Sequence, residues 1–308
     1  MNNSLKIIIV CIIALVAFAT CDDHRPVRQL DNTDTAISGT AAFLVDESFK
    51  PIMDQEHYVF KSLYTDTKPV LIYKSENELL RMLLNDSVRT AIMSRELKPD
   101  ELMVLKNRTL SPEVTRFASD AVAIIVNAQS VDTLMTVNEV KALLKGTAMT
   151  EKNVVFDNPN SSLVRYLKDL SGNQELKQKN VYALNTNKDV VTYVSKHPNA
   201  VGIVGYSWLN EPDADYAVAA TKVKIVGVRD ESNKEYAKQY FKPSQETLAL
   251  KQYPLSRSLY VINSTGRPNG LASAFADFLK SERGQRIILK SGLLPAAIPP
   301  REINIVKN

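Results

Sequence analysis

Thr115-Arg116-Phe117-Ala118-Ser119-Asp120-Ala121-Val122-Ala123-Ile124-Ile125-Val126-Asn127 reads as one nearly continuous extended run with no helix inside it. A second run of the same kind is Tyr253-Pro254-Leu255-Ser256-Arg257-Ser258-Leu259-Tyr260-Val261-Ile262. Around both, short apolar runs alternate with helical patterns. Strands are expected at Ala41–Val45, Val70–Tyr73, Thr90–Met93, Ala121–Val126, Asn153–Phe156, Val201–Val204, Lys222–Val228 and Ser258–Ile262. The clearest helices are Glu76–Leu84, Val137–Leu144, Ser161–Leu170, Lys188–Ser195, Gly270–Leu279 and Glu282–Lys290. Thr136-x-x-Glu139 is a capping box, and Gly146, Gly172 and Gly292 fall at helix stops. Such alternation implies parallel sheets covered by helices, an α/β architecture. The two long extended runs are then the places where the chain crosses between lobes.

The N-terminus carries an export signal. Lys6 precedes the apolar run Ile7–Ala19, and Thr20-Cys21-Asp22-Asp23 follows it. Thirteen apolar residues are fewer than the roughly twenty that a spanning helix needs. Cleavage before Cys21 would leave a cysteine to carry lipid; an uncleaved anchor is the other reading. Cys11 lies in the discarded run, so no disulfide framework or thiolate nucleophile is expected in the mature chain. Residues 21–35 are polar and aperiodic, as a tether should be.

Removing residues 1–20 leaves 288 residues, comfortable for two lobes. The net charge of +4 falls to +3 when Lys6 is lost, with acids and bases interspersed, so no nucleic-acid partner is expected. His24, His57 and His197 show no paired ligand spacing, which disfavours a metal site. There is no G-x-S-x-G, no phosphate-cradling glycine loop and no dinucleotide fingerprint, so neither an enzyme nor a cofactor is expected. Tyr58, Phe60 and Tyr64 read as core in one helix, Trp208 as packing, and Lys141 and Lys145 as a solvated helix face.

Ligands of open α/β sheets bind beyond the carboxyl ends of strands, where helix N-termini present free N–H groups. Serines gather at these junctions: Ser48 after the first strand, Ser75 after the second, Ser94 beside Arg95 after the third, and Asn160-Ser161-Ser162 after Phe156. Each serine has two readings, a helix cap or a hydroxyl toward a polar ligand. Arg95 likewise is either an anion fork or a partner of Glu96 or Asp100.

Motifs in shared order carry a family likeness. They are Met93-Ser94-Arg95-Glu96-Leu97 with Asp100-Glu101; Ser119–Asn127; Leu134-Met135-Thr136-Val137 with Leu143-Leu144-Lys145-Gly146; Val204-Gly205-Tyr206; Tyr253–Arg257; and Phe275–Leu279 with Gly284-Gln285 and Gly292–Pro295. The chain resembles the PstS-like phosphate-binding proteins of ABC importers, with the type II periplasmic-binding-protein fold. The resemblance implies two α/β lobes joined by two crossing strands, residues 36–122 with 256–308 and residues 123–255. It also implies a phosphate or related oxyanion held without chemistry by Ser48, Ser75, Ser94, Arg95, Asn160, Ser161 and Ser162, then passed to a membrane permease at the cell envelope. The chain departs from the family in lacking its glycine-rich loops and in adding Asp46, Glu47, Glu76 and Asp157, which would repel a dianion unless protonated, turned away or paired. A scaffold lipoprotein that has lost its small ligand is the competing expectation.

Overall fold

The computed structural model of the chain describes residues 34–148 and 151–297. The expected signal peptide, Cys21 and residues 22–33 of the tether lie outside the described residues, as does the chain beyond 297. In order, the chain forms β1 (Gly39–Asp46), a 3-10 turn (Glu47–Phe49), α1 (Lys50–Leu63), β2 (Thr67–Lys74), α2 (Glu76–Leu84), β3 (Thr90–Met93) and α3 (Pro99–Asn107). It continues through β4 (Glu113–Asn127), β5 (Leu134–Thr136), α4 (Val137–Lys145), β6 (Asn153–Phe156), α5 (Ser162–Ser171), β7 (Val181–Ala183), α6 (Asn187–Lys196) and β8 (Ala200–Gly205). The remainder is α7 (Ser207–Asn210), α8 (Ala217–Ala220), β9 (Val223–Ile225), β10 (Gly227–Arg229), α9 (Gln245–Ala249), β11 (Ser256–Asn263), α10 (Leu271–Lys280), α11 (Glu282–Lys290) and β12 (Leu294–Pro295).

The main sheet has the order β2-β1-β3-β11-β4-β8-β6-β7, with β9 and β12 also on β4. Strand β4 joins its two halves: Glu113–Ala121 pair with β11, and Val122–Val126 with β8. From Phe117 to Asn127 every residue of β4 is buried, as expected of a strand covered on both faces. Beside it, Tyr253–Leu255 lead into β11, and Val122 N–H donates to the Leu255 carbonyl at 2.8 Å. Parallel pairing holds for β1 with β2 and β3, and for β6 with β7 and β8. The crossings themselves are antiparallel, because one strand carries the chain out and its neighbour brings it back. The fold is thus the two-lobed α/β arrangement, with two crossing strands, that the sequence implied.

Each half has its own apolar packing. On one side Phe43, Phe60, Phe275 and Phe278 cluster, with Phe60 edge-on to Phe275 at 5.0 Å; on the other, helices α4 and α5 cover Val154, Phe156 and Ile203. In α1 the buried stripe is Ile52, Met53, Glu56 and Phe60. Tyr58, expected in the core, is 74 % exposed: it lies two residues, about 200° of turn, from Phe60 and so faces away. The strand expected over Lys222–Val228 is broken at Val226, where the chain leaves β4 to pair β10 with β5. The capping box forms as read, with Thr136 Oγ1 accepting from Glu139 N–H at 3.1 Å and Glu139 Oε2 accepting from Thr136 N–H at 2.7 Å. Gly146 (φ 68°) and Gly172 (φ 71°) end α4 and α5 in the left-handed conformation. Asp34, expected in the tether, accepts from Leu271 N–H at 2.6 Å at the start of α10 and pairs with Arg267. Among the described residues no helix is long and apolar enough to cross a membrane.

Candidate functional site

The ends of β1, β3 and β6 and the starts of α2 and α5 meet where the crossing strands pass. At the centre lies Arg257 of β11, 6 % exposed, with its guanidinium 4.6 Å from the Phe49 ring centroid. Its Nε and Nη2 reach Asp120 Oδ2 of β4 at 3.0 and 2.9 Å, and its Nη1 donates to Ser162 Oγ at 3.0 Å. The Ser162 hydroxyl in turn donates to Ser48 Oγ at 3.4 Å, across from the other half of the molecule. Ser48 is held from two sides: its N–H donates to Asp46 Oδ1 at 3.0 Å, and its carbonyl accepts from Trp208 Nε1 at 2.8 Å. Asp46 is fully buried, and its Oδ2 has no hydrogen-bond partner among the described residues. Burial, and then the nearby Glu76 charge, push its carboxyl above the ordinary carboxylate range, against the opposing pull of Arg257, the Ser162 hydroxyl and the Ser48 N–H.

Around α5 the second half contributes a capped turn. Ser161 Oγ accepts from Val164 N–H at 3.1 Å and donates to Asp157 Oδ1 at 2.5 Å, so this serine is the helix N-cap. Asn187 donates to the other oxygen of Asp157 at 2.9 Å. Burial pushes the Asp157 carboxyl up to about 7, and the neighbouring Asp46 adds to the rise, while the Ser161 hydrogen bond opposes it. Asn160 meets Asn77 of α2 twice, its carbonyl accepting from the Asn77 N–H at 3.3 Å and its Oδ1 from Nδ2 at 3.2 Å.

Ser94 and Arg95 lie at the outer end of this seam. Arg95 holds Glu101 with both terminal nitrogens, at 2.7 and 2.8 Å, and donates from Nε to Glu76 at 3.3 Å. Its carboxylate partners are therefore Glu101, in the first turn of α3, and Glu76, rather than Asp100 or Glu96, which offers only its backbone carbonyl to Nη1 at 2.9 Å. Burial works to raise the Glu101 carboxyl, but hydrogen bonds from Arg95 and the Lys98 N–H outweigh it and hold the group below its ordinary range. Glu76, 1 % exposed, also receives Arg165 Nε of α5 at 2.5 Å and the Ser94 hydroxyl at 3.4 Å. Ser75 precedes α2 as its N-cap residue but makes no side-chain cap bond.

A profile of the PBP superfamily domain matches residues 31–283, well over half of the chain. The chain belongs to the PBP superfamily. Among curated proteins it is 23 % identical over 260 residues to the phosphate-binding protein PstS of Borreliella burgdorferi, covering 79 % of this chain and 85 % of that one. A solved structure from Clostridium perfringens, assigned as a phosphate ABC transporter substrate-binding protein with bound phosphate, superposes with TM-score 0.69 at 17 % identity over 84 % of this chain and all of that one. An ABC-type phosphate transport receptor from Vibrio cholerae gives 0.63 at 19 % identity, covering 82 % and 99 %. The same architecture is shared by a regulatory domain, that of Synechocystis CcmR (0.52, 12 % identity), so the fold alone does not name a ligand.

Within this PBP superfamily member the structure brings Ser48 and Ser162 together at the centre, turns Ser161 to capping, and sets Ser94, Arg95 and Asn160 along the seam. Arg257, Asp120, Arg165 and Asn187 join the site without having been expected there. A signal for the first two was present: each crossing run carries a charged residue inside its apolar stretch, Asp120 in one and Arg257 in the other. Opposite charges in two strands that must lie side by side are a buried pair waiting to be matched. The four acids that departed from the family pattern fall into the categories that make them tolerable. Glu76 is paired, and Asp157, Asp46 and Glu47 are pushed toward the protonated form chiefly by burial.

Proposed function

We propose that the chain is a solute-binding lipoprotein of the cell envelope, anchored through Cys21, that takes a small protonated oxyanion of the phosphate class between its lobes and passes it to a membrane permease. The lobes so proposed are residues 36–122 with 256–308 and residues 123–255. The observation that carries this reading is the buried relay Arg257–Ser162–Ser48 ending beside the unpartnered Asp46 Oδ2. A hydroxyl whose oxygen already accepts, as Ser48 Oγ does, has its proton to give to an anion oxygen. The Asp46 oxygen beside it belongs to a carboxyl that burial raises toward protonation, so it shares one proton with whatever oxygen it meets, which suits a ligand that brings its own O–H. Hydrogenphosphate has both features; sulfate, fully deprotonated near neutral pH, lacks the second. The phosphate-binding relatives point the same way. The Ser161 hydroxyl that meets Asp157 is the N-cap of α5, accepting from Val164 N–H, and in this reading the chain binds and releases without reaction.

One observation favours the second reading, a lobed scaffold without a small ligand. Arg95, Arg165 and Arg257 each already face a carboxylate. Calorimetric titration of the delipidated protein with phosphate, sulfate and small carboxylates separates the two. Saturable heat with phosphate and none with sulfate is expected; no heat with any of them at millimolar concentration would leave the scaffold.

A further inference from the structure

Glu76 is the first residue of α2, and its side chain does not point to solvent. Its carboxylate is nearly fully buried in a nest made by Arg95 Nε at 3.3 Å, Arg165 Nε at 2.5 Å and the Ser94 hydroxyl at 3.4 Å. Arg165 closes the nest by donating from Nη2 to Ser94 Oγ at 2.9 Å. Two guanidinium groups and a hydroxyl converging on one pair of oxygens is the chemistry that recognises an oxyanion. Arg165 comes from α5 on the far side of the seam, and the two Asn77–Asn160 hydrogen bonds lie next to it. The remaining contacts of the arginines do not compete for this spot: Arg95 grips Glu101 with its terminal nitrogens, and Arg165 Nη1 reaches Asp169 at the surface, at 3.0 Å.

We propose that Ser94, Arg95 and Arg165 form an anion-binding nest that Glu76 occupies as a tethered ligand, so that part of the closure of the seam is supplied by the chain's own carboxylate. An exogenous oxyanion is thereby excluded from this nest and directed to the Ser48–Ser162 centre. This inference rests on the reading of the cleft as an oxyanion site, yet its chemistry is separable. The nest offers only donors, so it takes a fully deprotonated anion, whereas the centre has Asp46 and calls for a proton on the ligand.

Sulfate is therefore the probe. Titrated calorimetrically with sodium sulfate, Glu76→Gln should bind at least tenfold more tightly than wild type. The gain should vanish when Arg165→Ala is added and survive Ser162→Ala. Equal sulfate affinity in wild type and Glu76→Gln, or a gain that persists without Arg165, would overturn the proposal whether or not wild type takes phosphate. Should Glu76→Gln be unfolded in chloride, the test becomes its recovery in sulfate at matched ionic strength, followed by circular dichroism beside the double variant with Arg165→Ala, which controls for the general stabilising effect of sulfate; recovery that needs Arg165 supports the nest, and recovery without it, or none, overturns it.

Discussion

Glu56 shows how a single residue can depart from the pattern that encloses it. It sits on the inward stripe of α1 between Ile52 and Phe60, fully buried, and neither carboxyl oxygen has a hydrogen-bond partner among the described residues. Burial pushes its carboxyl from 4.5 to about 9. The folded chain therefore holds a proton that the unfolded chain releases above 4.5, so stability is complete below 4.5 and declines as pH rises toward about 9. Each unit of separation corresponds to about 1.4 kcal/mol. Denaturant melts of wild type and Glu56→Gln between pH 5 and 8 should show a falling stability whose slope is shallower in the variant, and Glu56→Met should stabilise at pH 8 by about 1–3 kcal/mol. Identical slopes would place a partner on Glu56. Asp157, raised to about 7, belongs to the same scale. It becomes charged as pH rises through that value and then repels an anion in the cleft, so the ratio of phosphate affinity of Asp157→Asn to wild type should climb between pH 6 and 8. Taking the ratio cancels the titration of phosphate itself. None of these values was legible in the sequence, because burial depends on which segments fold over a residue and not on its neighbours in the chain.

At the scale of elements, adjacent serines at the start of α5 have different duties. Ser161 holds the helix end and the buried Asp157, whereas Ser162 receives Arg257 and faces Ser48. Ser161→Ala should lower stability by about 1–2 kcal/mol, reading as a fall in melting temperature. Ser162→Ala should leave the melting temperature nearer wild type and weaken phosphate binding by about 1 kcal/mol, roughly fivefold in calorimetry. Reversed effects would exchange their roles. Local signals served well here: the strand Thr90–Met93, the helix Glu76–Leu84 and the Thr136–Glu139 box appear where sequence placed them. What was lost depended on distant partners. The strands β5 and β7 are three residues each and are strands only because β10 and β6 pair with them. The split at Val226 likewise follows from the Thr133 carbonyl drawing Gly227 N–H to a second sheet.

For the whole molecule, the decisive signal was the pair of long extended runs, since an interior strand shared by both halves has to be long and apolar along its length. The serine junctions are where a ligand was expected, and the structure brings Ser48 and Ser162 into contact across 114 positions of sequence. The Arg257–Asp120 pair, 137 positions apart, became visible only when the crossings were laid side by side. Two crossing strands make a hinge whose position a ligand shifts only by binding one arrangement better than another. Small-angle scattering should therefore show a smaller radius of gyration with saturating phosphate than without it in Glu76→Gln, where the seam has lost its own ion pair. An unchanged profile would mean that the lobes are fixed.

In the proposed site, Asp46, Ser48 and Ser162 together hold a protonated oxyanion. A crystal structure of the delipidated protein grown in millimolar phosphate near neutral pH tests it most directly. Tetrahedral density is expected within hydrogen-bonding distance, about 3 Å, of Ser48 Oγ, Ser162 Oγ and Asp46 Oδ2. Phosphate bound elsewhere, with Ser162 still bonded to Ser48 and Asp46 Oδ2 still alone, would contradict it.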